Sequence, residues 1–104
     1  MENEVNILAE EKPKSITLAD GKDYMLPPMD LTTLANIEKT MGMGGKKIAS
    51  QIEAEPLQTI RLFCYALLKE SQPDLKLEQA GRLIGVKEIP QFAEVISTFM
   101  AVSG

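Results

Sequence analysis

The spacing of apolar and polar residues divides the chain into a short stretch typical of a β-hairpin and a longer stretch with helical periodicity. Between residues 16 and 26, two short segments with apolar residues flank the turn sequence Asp20-Gly21, as in two antiparallel strands. From Leu31 onwards, apolar residues recur at intervals of three and four, which indicates amphipathic helices. The pattern predicts an α+β fold, mostly α, with an N-terminal β-hairpin packed on a bundle of four to five short helices.

The turn sequence permits two registers of the hairpin. A two-residue loop would put Ile16 and Leu18 on one face and Tyr24 and Leu26 on the other. A three-residue loop, from Ala19 to Gly21 with Gly21 left-handed, pairs Ile16 with Tyr24 and puts all four on one face. The four are Ile16, Leu18, Tyr24 and Leu26. We expect the three-residue loop because it buries more apolar surface, and we expect that face to lie on the helices because an isolated hairpin is marginal in water.

Capping and turn residues set the predicted bounds of the first three helices. Asp30 is a good N-cap for a first helix that Gly42 ends. A short second helix ends near Glu55, and Pro56 fits the first turn of a third, central helix. The predicted apolar stripe of the first helix is Leu31, Leu34, Ile37 and Met41, and that of the third is Leu57, Ile60, Phe63, Cys64, Leu67 and Leu68.

Two further helices complete the predicted bundle. A fourth runs from about Leu77 to Ile84, with Gly85 directly after its end. A fifth begins near Ile89-Pro90, and its apolar residues repeat strongly at helical spacing. These are Ile89, Phe92, Ala93, Ile96, Phe99 and Met100.

The first 14 residues differ in composition from the rest of the chain. They are rich in Glu and Lys, contain Pro13, and have few apolar residues beyond Val5, Ile7 and Leu8. This composition predicts a flexible acidic arm, residues 1–14, before a single hairpin-plus-helices domain, residues 15–104. Val5, Ile7 and their neighbours could also add an edge strand or dock on a partner.

Charge and hydropathy narrow the range of partners. A net charge of −4 and a pI near 4.8 offer no attractive field to a phosphate backbone or an anionic lipid surface. The longest apolar run, Leu62 to Leu68, is far shorter than the roughly 20 residues that span a bilayer. The N-terminus lacks the basic flank and apolar core of a signal peptide. We therefore expect a cytoplasmic protein with no nucleic-acid partner and no membrane partner.

The chain is poor in chemically reactive residues. It has no histidine and a single cysteine, Cys64, so no imidazole is present to activate that thiol. Carboxylate pairs such as Glu53 and Glu55 lie in no patterned apolar pocket, and no spacing of Cys and His suits zinc. The connector from Gly42 to Lys47 departs from the phosphate-binding loop motif and follows a helix instead of a strand. We expect a non-enzymatic protein without catalytic residues, cofactor or metal.

The segment from Leu77 to Val86 resembles the first helix and turn of a helix-turn-helix. Gly81 and Gly85 stand where that motif has a small residue and a turn glycine. The next helix, however, begins Lys87-Glu88-Ile89-Pro90, with acidic and apolar groups where base contacts require Arg, Lys, Asn or Gln. A small helix-turn-helix-like DNA-binding regulator is therefore an alternative hypothesis, and a generic oligomerising scaffold is another.

Methionines and one late aromatic residue supply the candidate partner-binding residues. The chain has six methionines, whose flexible side chains adapt to varied partners. Met41 and Met25 are expected in the core. Met29, Met43, Phe99 and Met100 are the candidates for an exposed binding surface.

Three segments carry a resemblance to a known family. They are SITLADGKDYML from Ser15, MDLTTLANIE from Met29 and LEQAGRLI from Leu77. Together they resemble the tail assembly chaperones of long-tailed bacteriophages and related prophages, over about Ser15 to Val102. Those small acidic proteins have an opening hairpin, a helix near L-x-x-L-A-x-I-E and a late L-x-x-A-G-x-L-I helix.

The resemblance implies a specific role. Proteins of that family hold the tape measure protein soluble, help recruit tail tube protein around it and leave before the virion is complete. Many are made in a short form and a frameshift-extended form, and this chain would correspond to the short form. The implied partners are therefore the tape measure protein and the tail tube protein, in the bacterial host cytoplasm, and association with copies of itself stays open. The family has no binding-residue motif to carry over to this chain.

Overall fold

The computed structural model describes residues 14–103, which form two strands and five helices. The strands are β1 (Lys14–Thr17) and β2 (Asp23–Leu26), and the helices are α1 (Leu31–Met41), α2 (Gly45–Ala54), α3 (Pro56–Lys69), α4 (Leu77–Leu83) and α5 (Ile89–Ser103). The predicted α+β fold, mostly α with an N-terminal hairpin on the helices, is confirmed. The predicted flexible arm lies outside the described residues, except for Lys14, which begins β1.

The hairpin has the register that the three-residue loop predicts. The strands are antiparallel with Ile16 opposite Tyr24. The N–H of Gly21 donates to the Leu18 carbonyl (2.9 Å), and the N–H of Leu18 donates to the Lys22 carbonyl (3.1 Å). Gly21 has φ +79°, so the loop is a tight turn closed by a left-handed bulge glycine. Ile16, Leu18, Tyr24 and Leu26 are buried or half-buried on one face, as expected.

Each edge of the hairpin is held to a helical segment by hydrogen bonds. On β2, the Met25 carbonyl accepts from Ser71 Oγ (2.7 Å), just after α3. On β1, the Thr17 carbonyl accepts from Gln91 Nε2 (3.1 Å) in α5. The N–H of Ala19 donates to the carbonyl of the last residue of α4 (2.8 Å). These bonds occupy backbone groups that a sheet edge would otherwise offer to another strand.

The ends of the first helices follow the capping residues. The Asp30 carboxylate accepts from the Thr33 N–H (2.9 Å) at the start of α1. Gly42 ends α1 with φ +73°, and its N–H donates to the Glu38 carbonyl (2.8 Å). Pro56 occupies the first turn of α3. These three predictions are confirmed.

Helix α3 is the centre of the core, because it packs against α1, α2, α4 and β2. Its Phe63 meets Phe99 of α5 edge to face, with ring centroids 5.1 Å apart and an interplanar angle of 74°. Such aromatic pairs add stability beyond their buried area. The other completely buried apolar residues are Ile37, Ile48, Leu67, Leu68, Ala80 and Phe92.

The predicted apolar stripes of α1 and α3 are wrong at their first members. Leu31 and Leu57 are 80% and 77% exposed. Thr33 and Thr59 are buried in their place, and Thr59 Oγ1 donates to the Gln51 carbonyl (3.1 Å). Each threonine lies four residues before a completely buried residue of its helix, so the two share a face. Each leucine lies six residues before it, about 240° around the helix.

Helix α4 ends one residue earlier than predicted, because Ile84 is extended (φ −111°, ψ 92°). Gly85 follows as expected, but within residues 14–103 positive φ is found at Gly21 and Gly42, not here. The N–H of Gly85 donates to Glu88 Oε1 (2.8 Å), and a Cβ at Gly85 would lie 2.9 Å from that oxygen. The glycine here permits a close approach of the Glu88 carboxylate.

Candidate partner-binding surface

Helix α5 is unusually poor in charge for a helix on the outside of this molecule. One of its fifteen residues is charged, Glu94, whereas a quarter of the whole chain is charged. Phe92 and Phe99 fix the helix to the core and are completely buried. Charge depletion together with apolar side chains is typical of the centre of a protein interface.

A row of apolar residues runs along one flank of α5 beside the buried phenylalanines. Its members are Ile89, Ala93, Ile96 and Met100, which we call the α5 stripe. Successive members are four, three and four residues apart, so they share one side of the helix. Ile89 and Ala93 are exposed, and Ile96 and Met100 are half-buried. At about 1.5 Å per residue the stripe is about 16 Å long, enough for three turns of a second helix.

The four sequence-predicted binding residues lie in different surroundings. Met29 and Met43, at the two ends of α1, are half-buried and pack against the core. Met100 is half-buried on the α5 stripe. Phe99 has 0% of its surface exposed, so the expectation that it is exposed is wrong: its ring fills the core against Phe63.

The core predictions for the other methionines had mixed outcomes. Met41 is buried, as expected. Met25 is 48% exposed, because it lies on the outer face of β2, between the inward-facing Tyr24 and Leu26. Ile89, Ala93 and Ile96 belong to the apolar repeat predicted for the fifth helix, and their full or partial exposure was not predicted. The feature of the sequence that could have indicated it is the near absence of charge from residues 89–103.

Cys64 is a packing residue in the structure. Its side chain is buried in the core, and burial raises the pKa of the thiol to about 12. The thiol is therefore protonated at neutral pH, in the form that neither attacks an electrophile nor binds a metal well. Among residues 14–103, no three Asp, Glu, Cys or His side chains come together as a metal site would require.

In the glycine connector and in the helix-turn-helix-like segment, polar groups that a ligand would bind make hydrogen bonds within the chain. In the glycine connector, the N–H of Gly45 donates to Glu38 Oε2 (2.8 Å), so a carboxylate of this chain takes the place of an external anion. At the start of α5, the Gln91 amide donates to the Thr17 carbonyl. A DNA-reading helix would turn that amide towards base edges, so this contact does not favour the helix-turn-helix hypothesis.

The hairpin turn contains a hydrogen-bonded pair that perturbs two pKa values. The Tyr24 hydroxyl donates to Asp20 Oδ2 (2.5 Å), and the Lys22 N–H donates to Asp20 Oδ1 (3.0 Å). The bond from Tyr24, followed by that from Lys22, lowers the pKa of Asp20. The same carboxylate raises the pKa of Tyr24. These contacts stabilise the turn in the conformation that aligns the strands.

Comparisons of the chain with protein-family models, with curated proteins and with solved structures find no match. None of the helices in residues 14–103 is both long enough and apolar enough to span a bilayer.

Proposed function

We propose that this chain is a tail assembly chaperone of a long-tailed phage or prophage, a non-catalytic protein that binds the tape measure protein while tail tube protein assembles around it. The resemblance of the three segments to that family supports the proposal, since they form the hairpin, most of α1 and α4. The observation that supports it most is the α5 stripe, an uncharged row at helical spacing on an acidic molecule.

The stripe fits an amphipathic helix as its occupant. A helix laid along α5 would bury apolar side chains of its own against Ile96 and Met100, at the i, i+3, i+4 spacing that helices use in grooves. A contact about 16 Å long buries less area than a stable interface needs, so the complex forms and separates easily. Reversible binding suits a chaperone that acts in the host cytoplasm and is absent from the finished virion. The net charge of −4 favours the solubility of the chaperone itself.

The first prediction concerns a charge introduced on the stripe. Ala93→Glu is expected to weaken binding of the tape measure protein about tenfold, because the carboxylate must lose water in an apolar contact. We expect a tail tube gene upstream of the gene for this chain and a long tape measure gene downstream of it. The product of that tape measure gene is the partner to use in the experiment. The measurement is the soluble fraction of the tape measure protein when the two chains are co-expressed, followed by affinity in titration.

Thr98→Glu is the matched control. Thr98 is exposed on the same helix but lies about 140° around it from Ala93, so the same added charge should leave solubilisation unchanged. Circular dichroism should show both variants folded. Equal solubilisation by both variants would contradict binding at the stripe, and failure of the unaltered chain to solubilise the tape measure protein would contradict the chaperone role. Self-association of the pure chain, seen by light scattering, would favour the scaffold hypothesis instead.

A further inference from the structure

A groove with two lysines lies on another part of the molecule, between α1 and the C-terminal half of α3. Its volume is about 550 Å³. Among residues 14–103, Lys39 on α1 and Lys69 on α3 line it, together with Asn36 and Tyr65, and Glu70 supplies one carboxylate. The ammonium nitrogen of Lys69 lies 5.5 Å from the centre of the Tyr65 ring. We call this the lysine groove.

The charge of the groove is opposite to that of the chain as a whole. Two ammonium groups face one carboxylate there, on a molecule with a net charge of −4. Both lysine side chains are exposed, and the Asn36 amide and Tyr65 hydroxyl add uncharged hydrogen-bond donors. An acidic peptide with a few apolar side chains complements these groups, with the Tyr65 ring as an apolar contact.

Residues 1–13 of this chain have that composition. They contain Glu2, Glu4, Glu10 and Glu11 against Lys12, and the apolar Val5, Ile7 and Leu8 lie between the two acidic pairs. The segment therefore has an excess of negative charge around a short apolar centre.

The attachment point of the segment lies near one end of the groove. It joins the described fold at Lys14, opposite Leu26 on β2. The neighbouring Met25 carbonyl accepts a hydrogen bond from Ser71 Oγ (2.7 Å), and Ser71 comes two residues after Lys69 in the chain. Thirteen extended residues span up to about 43 Å, so the segment can reach the whole groove from this point.

We propose that the lysine groove is a binding site for an acidic peptide, and that residues 1–13 of the same chain are the peptide it binds. The acidic side chains pair with Lys39 and Lys69, and the apolar centre of the segment lies against Tyr65. This site is separate from the α5 stripe, and the proposal that it binds residues 1–13 does not depend on the chaperone role.

The test uses the full chain with a nitroxide spin label on a cysteine introduced by Asn6→Cys. The native Cys64 is buried and its thiol pKa is about 12, so the label attaches to the introduced thiol. We expect the label to broaden the amide signals of Lys39 and Lys69 in nuclear magnetic resonance spectra. Raising the salt concentration should reduce this broadening, since exposed charge pairs are screened.

Charge reversal in the groove should release the segment. Lys39→Glu combined with Lys69→Glu is expected to lower the ratio of docked to undocked segment on the order of tenfold, because two attractive contacts become repulsive. Lys46→Glu with Lys47→Glu is the matched control, since both lysines are exposed at the start of α2 and do not line the groove. This control should retain the broadening at groove amides.

Three results would overturn the proposal. The first is an unaltered chain in which groove amides are not broadened more than those elsewhere. The second is equal broadening in the two double variants when both are folded by circular dichroism. The third is broadening in a mixture of spin-labelled chains and isotope-labelled chains without a spin label, because the segment would then lie on a second copy.

Discussion

Phe99→Ala is expected to lower the free energy of unfolding by about 4 kcal/mol, the usual loss for truncating a fully buried aromatic side chain. Phe99 has no exposed surface and meets Phe63 edge to face. Removing its ring leaves a cavity between α3 and α5 and deletes the aromatic contact. For a domain of this size, whose total stability is about 5–15 kcal/mol, the melting temperature should fall by roughly 20 °C.

The measurement is urea denaturation followed by circular dichroism, with Val102→Ala as the control. Val102 is on the same helix but 65% exposed, so its truncation should change stability by no more than about 0.5 kcal/mol. The sequence placed Phe99 among the candidates for an exposed binding surface, where its truncation would leave the stability of the domain nearly unchanged. If Phe99→Ala retains wild-type stability, the packing of α5 on α3 described above is wrong.

Leu26→Asp is expected to lower the free energy of unfolding at least as much as Phe99→Ala does. Leu26 is 5% exposed on the inward face of β2, so the introduced carboxylate would lose its water without gaining a partner. The loss in unfolding free energy at neutral pH should be about 4 kcal/mol or more. Met25→Asp is the matched control, because this adjacent apolar residue is 48% exposed on the outer face and the carboxylate there stays hydrated.

The pH dependence of Leu26→Asp gives a second readout. Burial raises the pKa of an unpaired carboxyl in the folded state above its unfolded value of about 4. The folded state then binds more protons than the unfolded state between the two pKa values, so stability falls as the pH rises through that window. The variant should therefore be less destabilised near pH 4 than at pH 7, relative to wild type. Equal stability of Leu26→Asp and Met25→Asp at pH 7 would contradict a hairpin whose inner face covers the helices.

The fold could be predicted from the sequence wherever local chemistry decides the structure. The hairpin register follows from the need to put Ile16, Leu18, Tyr24 and Leu26 on one face, and the left-handed Gly21 confirms it. Asp30, Gly42 and Pro56 mark helix ends because each satisfies or removes a backbone group that a helix terminus leaves without a partner. These are local effects, and they need no knowledge of the tertiary packing.

The buried faces of the helices could be predicted less well from the sequence, because tertiary packing decides which face is buried. Counting apolar residues placed Leu31 and Leu57 in the core, whereas Thr33 and Thr59 are buried there. A threonine can enter a core once its hydroxyl has a partner, as Thr59 has in the Gln51 carbonyl. Each helix has several rows of residues spaced three or four apart. The position of the neighbouring helix decides which row is buried, and the periodicity of the sequence does not give that position.

The exposure of the candidate binding residues was predicted only in part. Met100 lies on the α5 stripe, but Phe99, the residue before it, points into the core. Adjacent residues are about 100° apart on a helix, so one step along the chain separates a core position from a surface position. Residue type alone could not make that distinction, whereas the scarcity of charge in α5 could have indicated α5 as the candidate surface.

The most direct test of the partner-binding account is to map the contact on the chain. A helical fragment of the tape measure protein, titrated into the isotope-labelled chain, should shift the amide signals of the α5 stripe from Ile89 to Met100. Ala93→Glu should reduce these shifts, whereas Thr98→Glu should leave them unchanged. Shifts confined to the hairpin or to the lysine groove, or no shifts at all, would contradict the central claim that α5 is the surface on which a helical client binds.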